Sequence, residues 1–275
     1  MPAPAYADIG KSIKELTVGG RTGTFQYDPK VSYSGSTSTG VAFTATATQK
    51  SDRVDASLKA AYATKKYTLE AVYNPSNKVN VSASYTDLAP GVKITGSVVL
   101  PDPSSAKLGA EYSNPYVNLK ANVGLVSSPV VDFAMASGYK SVIVGGEVAY
   151  DTAKASLSKY NFGVGYHAPD HQAAAFLQDR GSALRLSYAH NITPAQTVGA
   201  EIVRKLATSD TSFTLAYSRK LSNGALSKFK VDNAGLMSVL YETKLTTGEK
   251  VAGSLQMQAT DLTKPIKYGF ALELQ

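Results

Sequence analysis

From Thr24 to Leu274 the chain alternates apolar and polar residues with a period of two, almost without a break. No other feature narrows the fold as far. Successive side chains of an extended strand point to opposite faces, so this pattern reads as strand after strand with one apolar and one polar face. VDASLKAAY puts Val54, Ala56, Leu58, Ala60 and Tyr62 on one face, and Asp55, Ser57 and Lys59 on the other. YTLEAVY, VNVSASY, VKITGSVVL and YVNLKANVGLV repeat the arrangement. Short turn signals separate the runs: NPSN at 74–77, PDPSS at 101–105, APD at 168–170. Their Pro, Asn and Asp favour tight reversals. Counting the runs predicts about nineteen strands. The pattern is weakest around Ala173–Gln178 and Ala225–Val231. No helical periodicity follows residue 20, and no shift in composition marks a domain boundary.

A chain of 275 residues built this way has two uses for its apolar face. In a soluble all-β binding or structural protein that face fills the core between sheets. In a membrane barrel it meets lipid, and the polar face lines a lumen. The position of the charges favours the barrel. Asp55, Glu70, Glu111, Asp132, Glu147, Glu201 and Glu273 all fall on the polar parity, as do Lys59, Lys93, Lys107, Lys120 and Arg185. Only Arg204 and Arg219 take the apolar parity, and both stand at strand ends where a long side chain reaches water. Lys or Arg on the lipid face at mid-membrane costs about 2–4 kcal/mol, which accounts for the exclusion. Tyr62, Tyr67, Tyr73, Tyr85, Tyr112, Tyr116, Tyr188 and Tyr217 share the outward parity and read as aromatic girdles at strand ends.

Lipid offers no partner to an unpaired backbone group, so a spanning sheet has to close. The last run, KYGFALELQ, keeps the alternation to Leu274. Tyr268, Phe270, Leu272 and Leu274 fall on one face; Lys267, Gly269, Ala271 and Glu273 fall on the other. In a closed barrel this strand is the seam that pairs with the first. No run of ~18 apolar residues suggests a transmembrane helix, and MPAPAYADIGKSIKEL has no apolar core of a secretory signal.

Residues 6–17 have a different period. Tyr6, Ile9, Ile13 and Leu16 are spaced 3, 4 and 3, one stripe of a helix, with Lys11, Lys14 and Glu15 off it. Ser12 and Glu15 have capping-box spacing, so the helix is expected to restart after Gly10. Gly19, Gly20 and Gly23 follow, three glycines in five residues, and predict a flexible hinge. The chain therefore divides into 1–22, helix and hinge, and 23–275, the barrel. The helix is too short to span a membrane. It is expected inside the pore with Ile9, Ile13 and Leu16 on the wall.

Read in order, these segments resemble the mitochondrial voltage-dependent anion channels, the eukaryotic porins. YADIGKSIKEL with GGRTGTF resembles the family's N-terminal helix and glycine hinge. GVKITGSVVLP is similar to its Gly-Leu-Lys segment, with Val92 in place of Leu. GGEVAYDTAKASLSKYNFGVGY and KVDNAGLMSVLYETKL resemble its mid-barrel and sixteenth-to-seventeenth strands. KYGFALEL is similar to a mitochondrial barrel-insertion signal: Lys267, then Gly269, then Leu272 and Leu274. The resemblance implies a transmembrane β-barrel in the mitochondrial outer membrane with 19 strands, the number known for that family. An odd number makes the first and last strands parallel. It also implies a voltage-gated, weakly anion-selective channel for small metabolites and ions. The related protein-import pore is the nearest alternative, expected to carry a longer N-terminal extension. Animal members often carry an outward Glu in the fourth strand; here the outward position is Ala71, and Glu70 points inward.

Other chemistry finds little support. The chain has no Cys, which excludes disulfides and thiolate sites. His167 and His171 in HAPDH lie in a Pro-containing turn and read as a solvated loop. GVGYH lacks the third glycine of a dinucleotide-binding loop. No catalytic set, metal or cofactor is expected. Net charge is +7, but Lys and Arg are spread along the chain with no basic patch, so nucleic acid is not an expected partner. The expected partners are membrane lipid and hydrated anions such as ATP and ADP; a homo-oligomer stays open. The residues expected to set selectivity are Lys11, Lys14, Arg21, Lys59, Lys93, Lys120 and Arg185 in the pore lining.

Overall fold

The computed structural model describes residues 3–20, 23–246 and 248–275. Its strands are β1 (Lys30–Ser36), β2 (Val41–Lys50), β3 (Arg53–Ala63), β4 (Tyr67–Asn74), β5 (Lys78–Tyr85), β6 (Val92–Leu100), β7 (Asp102–Ser113), β8 (Val117–Gly124), β9 (Val130–Tyr139) and β10 (Val142–Asp151). They continue as β11 (Ser156–His167), β12 (His171–Gln178), β13 (Ala183–Thr193), β14 (Gln196–Lys205), β15 (Thr211–Lys220), β16 (Leu226–Asp232), β17 (Leu236–Lys244), β18 (Lys250–Gln258) and β19 (Lys267–Leu274). Each pairs antiparallel with its neighbours in sequence, and the sheet closes on itself. The closing pair β19–β1 is parallel, with Ala271 opposite Lys30 and Leu274 opposite Tyr33. The expected seam is therefore present, and the strand number is nineteen.

The two stretches of weak alternation are strands too, β12 and β16. A short helical turn, Asp179–Gly181, interrupts the strand succession after β12; it is one turn that the period-two pattern gave no sign of. Among the described residues no helix is long and apolar enough to cross a membrane. The barrel crosses with strands instead.

Parity follows the charge pattern. Lys59 pairs with Glu70 at 2.8 Å across β3 and β4, so both share the inner face and Ala71 takes the outer one. Exposed apolar side chains such as Leu58, Leu69, Leu108, Met135, Val164 and Phe270 make up the outer surface. The tyrosines depart from a symmetric pair of girdles. Tyr62, Tyr67, Tyr85, Tyr112, Tyr116, Tyr139 and Tyr166 gather at the rim where odd-numbered strands end. Tyr73, Tyr150 and Tyr268 mark the opposite rim, while Tyr188 and Tyr217 stand nearer the middle of their strands.

Candidate functional site

The lumen is shaped by what the first twenty-odd residues do. Tyr6–Asp8 form a single 3-10 turn. The chain then breaks at Gly10, whose φ of 66° is left-handed, and resumes as α1 (Lys11–Thr17). The expected restart after Gly10 occurs, but without the capping box: Gly10 itself is the N-cap, and the Ser12 hydroxyl bonds the Gln172 side chain on β12 instead. Ile9 is 1 % exposed, Ile13 2 % and Leu16 5 %. Ile9 packs with Ile143, Ala174 and Phe176, and Ile13 and Leu16 pack with Ala189 and Ala216. The apolar stripe lies on the inner wall, as expected.

The segment as a whole runs round the wall as a hoop. It starts with the Ala3 amide on the Asn114 carbonyl at the β7–β8 turn, 2.7 Å. It passes Tyr6 against Phe176, then α1 along β13 to β16, and the Gln26 amide on Ser254 of β18, 3.1 Å. It ends over β19 before entering β1. Residues 23–29 therefore belong to this inner hoop, and the barrel wall itself begins at Lys30.

Wall glycines make the track on which the hoop lies. A Cβ on Gly145 would come within 3.0 Å of the Tyr6 ring, and one on Gly165 within 3.1 Å of Ile9. A Cβ on Gly199 would sit 2.8 Å from Leu16 Cδ1 and closer still to Ile13. A Cβ on Gly269 would meet the Gln26 carbonyl at 2.6 Å and the Asp28 amide at 2.7 Å. All four have inward parity. Gly269, the glycine picked out by the insertion-signal resemblance, thus has a steric reason to be there. The sequence reading gave these glycines no role of their own; a glycine inside a strand is itself the signal of close backbone approach.

Two lysines hold the C-terminal end of α1, and the sequence reading missed both. Lys228 is 1 % exposed. Its ammonium donates to the Glu15 carbonyl at 2.5 Å and the Gly23 carbonyl at 3.0 Å. Lys230 donates to the Thr17 carbonyl at 2.8 Å and lies 4.5 Å from the Phe25 ring centre. The last carbonyls of a helix lack intrahelical partners and carry the negative end of its dipole, so a cation is well placed there. The hinge is tighter than expected. Gly19 pairs with Thr24 and Gly20 with Gly23 in a two-residue antiparallel ribbon, and Gly23 is cupped by Leu226, Leu240 and Glu242. Arg21, expected in the pore lining, lies outside the described residues.

The remaining expected selectivity residues separate into two sets. Lys59 is neutralised by Glu70. Arg185 is bound by Glu201 through Nε at 3.0 Å and Nη2 at 2.5 Å, and rests 5.9 Å from the Phe176 ring. Lys11 pairs with Asp8 at 3.0 Å on the water side of the hoop. Lys14, Lys93 and Lys120 are exposed, and none of the ion pairs among the described residues includes them. On the opposite side of Tyr6, Glu111, Lys120, Asp132, Glu147 and Lys159 surround a lumenal pocket of about 390 Å³. Burial, with Glu147 beside it, pushes the Tyr6 phenol up to about 12.

A closed wall, apolar outside and charged inside, with a polar lumen and an inner hoop, defines a β-barrel pore protein of a membrane. The family model for eukaryotic porins matches residues 2–269, and the chain belongs to that family. It is a channel protein and not an enzyme. Mitochondrial outer membrane protein porin 4 of Arabidopsis thaliana is 30% identical over 274 residues, covering 100% of this chain and 98% of that one. Porin 6 of Oryza sativa subsp. japonica is 29% identical, with the same coverage. The mitochondrial outer membrane porin of Triticum aestivum is 30% identical, covering 98% of each. Among solved structures, a variant of the Rhodopseudomonas blastica porin shares the fold with a TM-score of 0.51 at 11% identity, over 88% of this chain and 94% of that one.

Proposed function

We propose that this chain is a wide aqueous channel of the mitochondrial outer membrane that passes hydrated ions and small metabolites, ATP and ADP among them, with a weak preference for anions and a voltage-dependent conductance. One observation carries the reading. The hoop occupies the arc of wall from β9 to β19 and leaves the facing arc, β2 to β8, open to the lumen. Barrels of 16–18 strands already enclose a water-filled channel, and nineteen enclose more. A lumen of that width recognises solutes by its summed field rather than by a tight filter. Lys14, Lys93 and Lys120 are the cations best placed to act, because they stand in water outside the ion pairs of the described residues; Lys11, Lys59 and Arg185 are largely cancelled by their partners. Conductance of the refolded protein in a planar bilayer tests this. A nanosiemens-scale open state with a small anion-directed reversal potential supports it, and a narrow or cation-selective conductance contradicts it.

A further inference from the structure

On the membrane-facing side of the same wall, three residues converge that the channel does not use. His171 of β12 and His190 of β13 are directly opposite in register, and cross-strand neighbours of this kind have Cβ atoms about 4.5–5.5 Å apart. Their parity is opposite to Ala174 and Ala189, which carry the hoop, so both rings stand on the outer face. They lie in the tyrosine-rich rim: the His171 ring is 5.6 Å from Tyr166 and 6.2 Å from Tyr188, and the His190 ring stacks on Tyr188 at 6.4 Å. Asp170, the residue before β12, accepts from His171 Nδ1 at 2.8 Å. One ligand atom from each of Asp170, His171 and His190 lies within 4.8 Å of the other two. His190 Nδ1 is buried and has no hydrogen-bond partner among the described residues, an orphaned group of the sort a bound ion satisfies.

We propose that Asp170, His171 and His190 bind one late first-row dication, of the zinc, copper or nickel class, across the β12–β13 pair. Two neutral imidazoles and one carboxylate suit these ions, whereas calcium and magnesium ask for oxygen alone. With metal–nitrogen bonds of about 2.0–2.1 Å, tetrahedral ligands are roughly 3.4 Å apart, so about 1 Å of side-chain movement closes the set. Asp170 is exposed in a turn and free to supply that movement. Three protein ligands leave a fourth position for water. The HAPDH stretch read as a solvated loop because it lies in a Pro-containing turn, and its own two histidines do not form the pair. They face opposite sides of the wall. His167 points inward and contacts the Gln172 side chain; the partner of His171 is nineteen residues on, brought alongside by register. The metal would clip together the two strands whose inner faces seat Ile9 and Ile13.

The test uses full-length protein without a histidine tag, refolded in detergent micelles and titrated with copper or zinc. Calorimetry should give one saturable site per chain, and copper electron paramagnetic resonance should give a signal with two nitrogen ligands. His190→Ala and His171→Gln should each weaken binding at least about tenfold, while His167→Ala should leave it unchanged. Circular dichroism of each variant confirms that the barrel has formed. Absence of saturable binding in the unaltered protein overturns the proposal. So does equal affinity in His190→Ala, or loss of binding in His167→Ala.

Discussion

Gly199 and Lys228 test the hoop from opposite directions, one by steric contact and one by hydrogen bonding. A side chain at Gly199 has no space, because Ile13 and Leu16 already fill the place its Cβ would take. Gly199→Leu should lift α1 from the wall. A spin label on Lys14→Cys should become more mobile, and the open-channel current noisier. A label as still as in the unaltered background would show that this contact does not seat the helix. Lys228→Met keeps the length of the side chain but removes the donor to the Glu15 and Gly23 carbonyls. The buried Gly23 carbonyl and the part-buried Glu15 carbonyl then lose a charged partner, a change worth about 1–3 kcal/mol. The melting temperature should fall, and protease should cut residues 1–20 sooner. If both stay as they were, the clamp contributes nothing. The cysteine-free sequence makes every such labelling experiment direct.

At the scale of elements, strands were legible where lumen and lipid differ, because there the two faces alternate. They faded at β12 and β16 for a physical reason. Ala173, Ala174, Ala175, Phe176 and Leu177 are apolar on both faces, since lipid covers one and the hoop covers the other; a strand buried on both sides reads as a continuous apolar run. β16 fails in the same way at Ala225 and Leu226, and its lysines read as ordinary wall charges because their partners, the carbonyls of α1, have no signature in sequence. The apolar stripe of residues 6–17 was legible, and the wall it meets was not. Parity itself is testable. Cysteines at Leu58, Leu119 and Leu215 should be shielded by lipid, and those at Lys59, Lys120 and Thr214 should react with a small polar thiol reagent; equal rates would contradict the assignment. The seam is testable as well. β19 pairs with β18 on one side and with β1 on the other, so removing 266–275 bares two edges in hydrocarbon and should abolish membrane insertion. Removing 1–20 should spare insertion and change conductance or gating, because α1 lines the lumen and takes no part in the ladder.

The molecule as a whole presents ions with a field rather than a site. Much of the wall charge is already paired: Lys59 with Glu70, Lys159 with Glu147, Arg185 with Glu201, and Lys250 with Glu242 and Glu273. The formal net charge is +7 over the whole chain, and in the lumen Lys14 on the hoop and Lys93 and Lys120 on the facing arc take part in none of the ion pairs among the described residues. With a Debye length of ~10 Å at 0.1 M salt, most of that field is screened before it reaches the pore axis. The anion preference is therefore expected to be modest and to shrink as salt rises. Changing Lys11, Lys14 and Lys93 to Glu takes the formal net charge from +7 to +1 and reverses its sign at both the hoop and the opposite wall. The reversal potential in a KCl gradient should then move toward cation selectivity, most strongly at low salt. Lys11→Glu alone should move it less, because Asp8 already neutralises that lysine. A reversal potential left in place by the triple change would mean that charges elsewhere on the wall set the preference, and that the open lysines are bystanders.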